Sequence, residues 1–122
     1  MVSLQVNKSI LMIDDNQLYL ETMQKALRKN GFECQTCSSL VDAIGRAHDT
    51  RFDLIVCDYF MPDSDGQSVL DSLGMINRDC LLILTSSYPL DVKFKRDERF
   101  KFVDKPGLLD WLKERYSSVQ YV

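Results

Sequence analysis

The feature that most constrains this chain is the repeated alternation of short apolar runs with segments of helical periodicity. Continuous apolar runs occupy residues 10–13, 54–57 and 81–84, which is typical of strands covered on both faces. Apolar and polar side chains alternate over residues 32–36, and residues 100–103 form a fifth strand-like segment. Five strands alternating with helices predict right-handed crossovers and a parallel sheet between two helical layers.

Helix signals lie between these strands. Asn16 is a good N-cap for a first helix, which Gly31 ends. Ser39 opens a capping box at the start of a second helix. A third helix follows the turn-rich residues 61–66, and a closing helix buries Leu108. The whole pattern predicts a doubly wound α/β fold.

Composition limits the classes of function. The 122 residues are 45% hydrophobic and 27% charged, as in an ordinary globular domain. The formal net charge of −3 offers no positive field for a nucleic acid, which disfavours a stand-alone DNA-binding domain. No apolar run approaches the roughly 20 residues of a membrane span, and residues 1–8 lack a signal-peptide pattern. We therefore expect a cytoplasmic protein that binds neither nucleic acid nor membrane.

The cysteines and the single histidine do not indicate a catalytic site. Cys34 and Cys37 have the spacing of zinc and redox sites, but Cys34 falls in a predicted strand rather than at a helix N-terminus. A zinc site would also need two further ligands nearby. Cys34, Cys57 and Cys80 fall within or at the edge of apolar, strand-like runs, where free thiols are usually buried. His48 lies at a predicted helix end, where we expect a solvated cation.

Polar side chains follow the predicted strands. Asp14 and Asp15 follow the first strand, Asp58 the third, Thr85 the fourth and Lys105 the fifth. Ligands of doubly wound folds bind beyond these carboxyl ends, so we expect the side chains to converge. Three carboxylates about 4 Å apart would repel by up to about 4 kcal/mol per pair. Mg²⁺ relieves such repulsion and leaves coordination positions for phosphate oxygens, and a carboxylate screened in this way can attack phosphorus.

In order and spacing these residues resemble the receiver domain of bacterial two-component response regulators, the family that includes the chemotaxis regulator. The motifs are Asp14-Asp15, Asp58 with Met61-Pro62 and Asp65-Gly66, Thr85, and Lys105-Pro106. Each is common by chance, but their joint position at the strand ends is specific. The resemblance covers essentially the whole chain. It implies a flavodoxin-like fold with a five-stranded parallel sheet of order 2-1-3-4-5 and about five helices, as one receiver domain over residues 1–122.

The resemblance implies an acceptor and a metal site. Asp58 would accept a phosphoryl group from the phosphohistidine of a sensor kinase or phosphotransfer protein. Asp15, Asp58 and the backbone carbonyl of Phe60 would bind Mg²⁺, and Asp14 would help through water.

The resemblance also implies a switch. Lys105 would pair with the phosphoryl group, Thr85 would move toward it, and Phe102 occupies the place of a switch aromatic that turns inward. Phe60 and Ser87 occupy positions that modulate the lifetime of the phosphate, and a bulky Phe60 predicts slow autodephosphorylation.

The segment between Thr85 and Lys105 departs from the family pattern. Residues 86–99 contain Pro89, show no helical apolar stripe and are rich in Lys and Arg. We predict that the fourth helix is short, distorted or mobile and that the output surface differs from the family's. The resemblance further implies a cis peptide bond before Pro106.

Several functions follow as hypotheses. The first is a phosphorylation switch that catalyses only its own phosphorylation and dephosphorylation and signals to a downstream protein, a missing output domain or a second copy. The alternative is a pseudo-receiver that binds a partner without phosphorylation. An aspartyl phosphatase would need a second aspartate where Phe60 stands. Whether the chain is a stand-alone regulator or an excised domain stays open.

Overall fold

A computed structural model describes residues 2–4, 8–62, 64–88, 98–116 and 119–121. Its elements, in chain order, are β1 (Val2–Leu4), β2 (Ser9–Ile13), α1 (Gln17–Lys29), β3 (Glu33–Cys37), α2 (Leu40–Asp49), β4 (Leu54–Asp58), α3 (Gly66–Ile76), β5 (Leu81–Thr85), β6 (Phe100–Phe102), α4 (Lys105–Tyr116) and β7 (Val119–Tyr121). No helix among these residues is long and apolar enough to cross a membrane.

Five strands form one parallel sheet in the order β3-β2-β4-β5-β6. Numbered along the chain, these strands have the order 2-1-3-4-5, which confirms the predicted doubly wound fold. The central strand β4 is buried along its whole length, because its apolar residues face helices on both sides of the sheet.

The sheet separates the apolar core into two layers, and helices cover each layer. On one face, α1 and α4 contribute Leu20, Met23, Leu27, Leu108 and Leu112. On the other, α2 and α3 contribute Ala43, Ala47, Val69, Leu70 and Leu73. The apolar residues of α1, α3 and α4 recur at helical spacing in the sequence, and their burial against the sheet stabilises these helices.

Cys34, Cys57 and Cys80 are buried, as the sequence predicts. Cys34 and Cys37 lie in β3 and project into the two opposite core layers, because a separation of three residues reverses the side-chain direction along a strand. Burial raises the pKa of each thiol to about 11. Both cysteines are free thiols.

Two features differ from the sequence-based expectations. β1 and β7 pair in an antiparallel ribbon, which the sequence analysis missed because each strand is three residues long and its partner lies at the other end of the chain. The peptide bond before Pro106 is trans, so the expectation of a cis bond was wrong. Pro106 stands in the first turn of α4, where its fixed φ suits a helical backbone and its missing N–H is not needed.

The prediction for the fourth helix concerns residues 86–99. Residues 89–97 lie outside the described residues, so the irregular helix stays a prediction. The described part of the chain contains four helices, close to the expected five.

Candidate functional site

Three carboxylates meet at the carboxyl edge of the sheet. Asp14 follows β2 and is only 1% exposed, whereas Asp58 ends β4 and is 6% exposed. Asp15, beside Asp14, is exposed. One carboxylate oxygen from each of the three lies within 4.8 Å of the others. The structure therefore brings these predicted ligands together, because parallel strands end at the same edge.

Lys105 reaches this acidic cluster from the first residue of α4. Its backbone N–H donates to the carbonyl of Ser86 at 2.9 Å, which ties the start of α4 to the end of β5. Its Nζ lies 2.7 Å from Oδ2 of Asp14 and 3.4 Å from Oδ2 of Asp58. One ammonium thus bridges the two buried carboxylates.

The proximity of these charges shifts the pKa values of Asp58 and Lys105. Burial, followed by the charge of Asp14, raises the pKa of Asp58, although Lys105 opposes the shift. For Lys105, burial lowers the pKa, but the hydrogen bond and charge of Asp14 and the charge of Asp58 outweigh it and raise the pKa above its ordinary value. Lys105 therefore stays protonated and compensates only part of the negative charge.

Two buried hydroxyl oxygens have no hydrogen bond from the described residues, Oη of Tyr19 and Oγ1 of Thr85, and Oδ2 of Asp14 is contacted by the ammonium of Lys105. Thr85 is 1% exposed and pairs in register with Asp58 on the neighbouring strand. Unsatisfied buried oxygens are costly, and a cation or a hydrogen-bonding ligand removes that cost. An all-oxygen donor set with excess negative charge fits Mg²⁺.

The loop after Asp58 is packed tightly against the sheet. The N–H of Tyr59 donates to the carbonyl of Thr85 at 2.8 Å, and the N–H of Gly66 donates to the carbonyl of Tyr59 at 2.8 Å. The carboxylate of Asp65 caps α3 by accepting from the backbone N–H of Ser68 at 2.8 Å. These bonds hold the start of α3 directly against the residues that follow the phosphoacceptor candidate.

Phe60 lies two residues after Asp58, and Ser87 lies two residues after Thr85. The Phe60 side chain is 52% exposed, and its ring makes edge-to-face contacts with Tyr59 and Tyr88 at centroid distances of 5.0 and 6.4 Å. Ser87 is exposed and lines a cavity of about 500 Å³ together with Phe102. Their modulating roles stay predictions.

Phe102, the predicted switch aromatic, lies in β6 in register with Leu84 and is half-buried. Its ring packs against the core layer of α2 and α3 and also borders the same cavity beside Tyr88 and Trp111. The Phe102 side chain thus contacts the core on one side and borders the cavity on another. Its switch role stays a prediction.

One contact of the site was not predicted from the sequence. The ring of Tyr19 in α1 lies under the ammonium of Lys105, with 4.6 Å between Nζ and the ring centroid. The available signal was an aromatic residue in the first turn of the helix that follows Asp14 and Asp15. That signal is weak, because aromatic residues in such a position usually pack against the core.

Comparison with known proteins gives one family. The family model of the response regulator receiver domain matches residues 10–117. The transcriptional regulatory protein PrrA of Mycobacterium leprae is 37% identical over 81 residues, 64% of this chain and 35% of PrrA. The two-component response regulator ORR21 of Oryza sativa subsp. indica is 25% identical over 122 residues, 97% of this chain and 18% of ORR21. The chain thus spans about a third or less of the length of these two relatives.

Solved structures share the fold. A receiver domain from Methylobacillus flagellatus matches with a TM-score of 0.73 and 23% identity over 82% of this chain and 87% of its own. The response regulator protein TrrA of Thermotoga maritima, solved with Mg²⁺-BeF, matches with a TM-score of 0.71 and 26% identity over 88% of this chain and 95% of its own. A structure of TrrA with the histidine kinase ThkA matches with a TM-score of 0.75, also at 26% identity, over 88% of this chain and 94% of its own.

Proposed function

Because this chain belongs to the response regulator receiver domain family, we propose that it is a phosphoacceptor module in which Asp58 takes a phosphoryl group from the phosphohistidine of a sensor kinase or phosphotransfer protein. The observation that carries the proposal is the convergence of Asp14, Asp15 and Asp58 with the ammonium of Lys105 at one edge of the sheet.

In this proposal Asp58 is the nucleophile. One of its carboxylate oxygens forms the new O–P bond while the P–N bond to the donor imidazole breaks, and the imidazole nitrogen keeps the electron pair. Lys105, already beside Oδ2 of Asp58, pairs with the transferred phosphoryl oxygens. The hydroxyl of Thr85, buried without a hydrogen bond from the described residues, donates to a phosphoryl oxygen.

The carboxylates of Asp15 and Asp58 and the backbone carbonyl of Phe60 would hold Mg²⁺, with Asp14 assisting through water. When bound, the metal offsets the negative charge that gathers on the phosphoryl oxygens during transfer. Asp14 and Asp58 also hold Lys105 in place before the phosphoryl group arrives. TrrA was solved with Mg²⁺-BeF, which supports the same cofactor here.

Phosphorylation would then shift an equilibrium between two conformations. Thr85 moves toward the phosphoryl group, and Phe102 moves into the space that Thr85 leaves. The half-buried Phe102 ring and the cavity beside it support this sequence of movements. The phosphoryl group biases the equilibrium only through contacts that differ between the two states.

The partners are part of the proposal. A histidine kinase is the donor, as supported by the complex of TrrA with ThkA. The recipient of the signal is a downstream protein, an output domain such as the longer relatives have room for, or a second copy of the chain. We place the reaction in the cytoplasm and propose no activity beyond the chain's own phosphorylation and dephosphorylation. A phosphorylation-independent pseudo-receiver is not supported, since the acidic site is complete.

Intact mass after incubation with a small phosphodonor tests the proposal. The wild type should gain one phosphoryl group with Mg²⁺ and none without it, and Asp58→Asn should gain none under either condition. Asp110→Asn, which changes an exposed acid of α4, is the matched control and should gain the group normally. A folded wild type that gains no phosphoryl group with Mg²⁺ would refute the proposal.

A further inference from the structure

Tyr19 stands at a point of α1 that the acidic site itself determines. Asn16, the N-cap of α1, accepts a hydrogen bond from the N–H of Tyr19 through Oδ1 at 3.1 Å. The N–H of the same Asn16 donates to Oδ1 of Asp14 at 2.9 Å. The first turn of α1 is therefore anchored on the carboxylate of Asp14, and the position of Tyr19 depends on that anchor.

The side chain of Tyr19 is also linked to the carboxylate of Asp14, through Lys105. Its ring faces Nζ of Lys105 at 4.6 Å, within the range of a cation–π contact. The Nζ atom lies 2.7 Å from Oδ2 of Asp14. The contacts therefore form a ring: Asp14 binds Asn16, Asn16 binds Tyr19, Tyr19 contacts Lys105, and Lys105 pairs with Asp14.

Lysine needs such support at this site. Its stem has four rotatable carbons and its ammonium is a point charge with no planar geometry to orient it. Here the Lys105 side chain is only 13% exposed, and its Nζ has carboxylates on one side and the Tyr19 ring on another. The ring occupies a direction in which the ammonium could otherwise turn toward water.

We infer that Tyr19 is a positioning residue, whose ring holds the Lys105 ammonium at the place where it must meet the phosphoryl group on Asp58. The inference rests on the proposed function and adds a residue to it. The contact uses the face of the ring and not the hydroxyl, because Oη of Tyr19 is buried with no hydrogen bond from the described residues. Phenylalanine should therefore replace tyrosine without loss, whereas an aliphatic side chain should not.

The state of the Tyr19 hydroxyl supports this interpretation. Burial, followed by the charges of Asp14 and Asp58, raises the pKa of Tyr19 well above its ordinary value. The ring therefore stays a neutral phenol near pH 7, and its face keeps the electron density that attracts the ammonium.

Beryllofluoride, an analogue of the phosphoryl group, separates this role from a structural one. Calorimetry gives the dissociation constant of Mg²⁺ alone and that of beryllofluoride at saturating Mg²⁺ for the wild type, Tyr19→Leu and Tyr19→Phe. Tyr19→Leu should weaken beryllofluoride binding roughly three- to tenfold and change the Mg²⁺ constant less than about twofold. Tyr19→Phe should match the wild type in both.

Proton NMR supplies a direct signature of the contact. A ring face over the end of the lysine side chain shifts the Lys105 ε-methylene protons upfield, so the shift should persist in Tyr19→Phe and vanish in Tyr19→Leu. Tyr116→Leu is the matched control, since Tyr116 has a lysine, Lys8, over its ring at 6.0 Å and is no part of the site. If Tyr19→Leu does not fold, Tyr19→Met removes the ring with an unbranched side chain.

The outcomes are distinct. If the wild type binds beryllofluoride and a folded Tyr19→Leu binds it equally well, or loses Mg²⁺ and beryllofluoride affinity in equal measure, the role of Tyr19 is refuted and the proposed function stands. A folded wild type that binds no beryllofluoride with Mg²⁺ refutes the proposed function and the inference with it.

Discussion

Gly66 lies so close to Asp58 that a Cβ atom on residue 66 would stand 2.2 Å from the carbonyl oxygen of Asp58. No real Cβ tolerates that distance, and the obstacle is backbone, which cannot move as a side chain can. The first residue of α3 is therefore in direct backbone contact with the proposed phosphoacceptor. Any larger residue at position 66 must displace either α3 or the end of β4.

Replacement of Gly66 should consequently damage both stability and phosphorylation. Gly66→Ala should lower the free energy of unfolding by about 1–3 kcal/mol, as overpacking does, and should slow phosphorylation from a small donor. Gly45→Ala is the control, because a Cβ on Gly45 in α2 would meet nothing within 4 Å, and this variant should gain about 0.5–1 kcal/mol. Urea denaturation and intact mass measure the two effects, and equal stability of the two variants would contradict the argument.

The raised pKa of Asp58 predicts that replacing its carboxylate stabilises the folded protein in a pH-dependent way. Burial and then the charge of Asp14 raise this pKa, so ionised Asp58 destabilises the folded state at pH values above its folded pKa. That cost disappears as the pH falls below the unfolded value of about 3.9, where the residue is protonated in both states. Asp58→Asn should therefore melt at a higher temperature than the wild type at pH 7 without divalent metal.

The difference in melting temperature between Asp58→Asn and the wild type should shrink steadily as the pH is lowered. Lys105 keeps its 2.7 Å ion pair with Asp14 in this variant, so the comparison does not leave a lone cation. Asp71→Asn, which changes an exposed acid of α3, is the control. Thermal melts across the pH range check the prediction, and a melting temperature of Asp58→Asn below that of the wild type at pH 7 would contradict it. Added Mg²⁺ should raise the melting temperature of the wild type only.

The unpaired hydroxyl of Thr85 predicts opposite effects on stability and on binding. Thr85→Val removes a buried oxygen that has no hydrogen bond from the described residues and should raise the free energy of unfolding by about 1 kcal/mol. The same change should weaken beryllofluoride binding, because the phosphoryl analogue loses a donor. Thr85→Ser keeps the hydroxyl and serves as control. Stability lost in Thr85→Val would show that the hydroxyl is satisfied by water.

The exposed ring of Phe60 predicts a long-lived phosphate. Phe60→Ala removes the bulk two residues after Asp58 and its contact with Tyr88, so water should reach the acyl phosphate more readily. The half-life of phosphorylated protein, followed by intact mass, should fall severalfold. Met75→Ala, an exposed apolar residue at the far end of α3, is the control. An unchanged half-life in Phe60→Ala would mean that the ring does not screen the site.

Much of the site was predictable because its residues occupy strand ends. Asp14, Asp58 and Lys105 each follow an apolar run, and parallel topology brings such positions to one edge without further information. Thr85 was predictable for the same reason, and its register with Asp58 follows from the adjacency of β4 and β5. The order of the strands, which the resemblance to receiver domains implied, was likewise correct.

Contacts between elements were not predictable in this way. The cation–π contact of Tyr19 with Lys105 depends on how α1 and α4 meet, and no spacing along the chain encodes that geometry. The ribbon of β1 and β7 was missed because three-residue strands carry almost no periodic signal. The trans peptide before Pro106 follows from its place in the first turn of α4, a boundary that a sequence pattern locates only to within a few residues.

Local patterns in the chain were enough to establish the fold class and the chemical character of the acidic site, because both depend on periodicity and on which residue types end the strands. Three-dimensional packing was needed to establish that Lys105 lies nearer to Asp14 than to Asp58, that Gly66 lies against the backbone of Asp58 and that Tyr19 faces the ammonium. These relationships are distances between different secondary-structure elements. They depend on how the whole core packs together. No single motif in the sequence determines that packing.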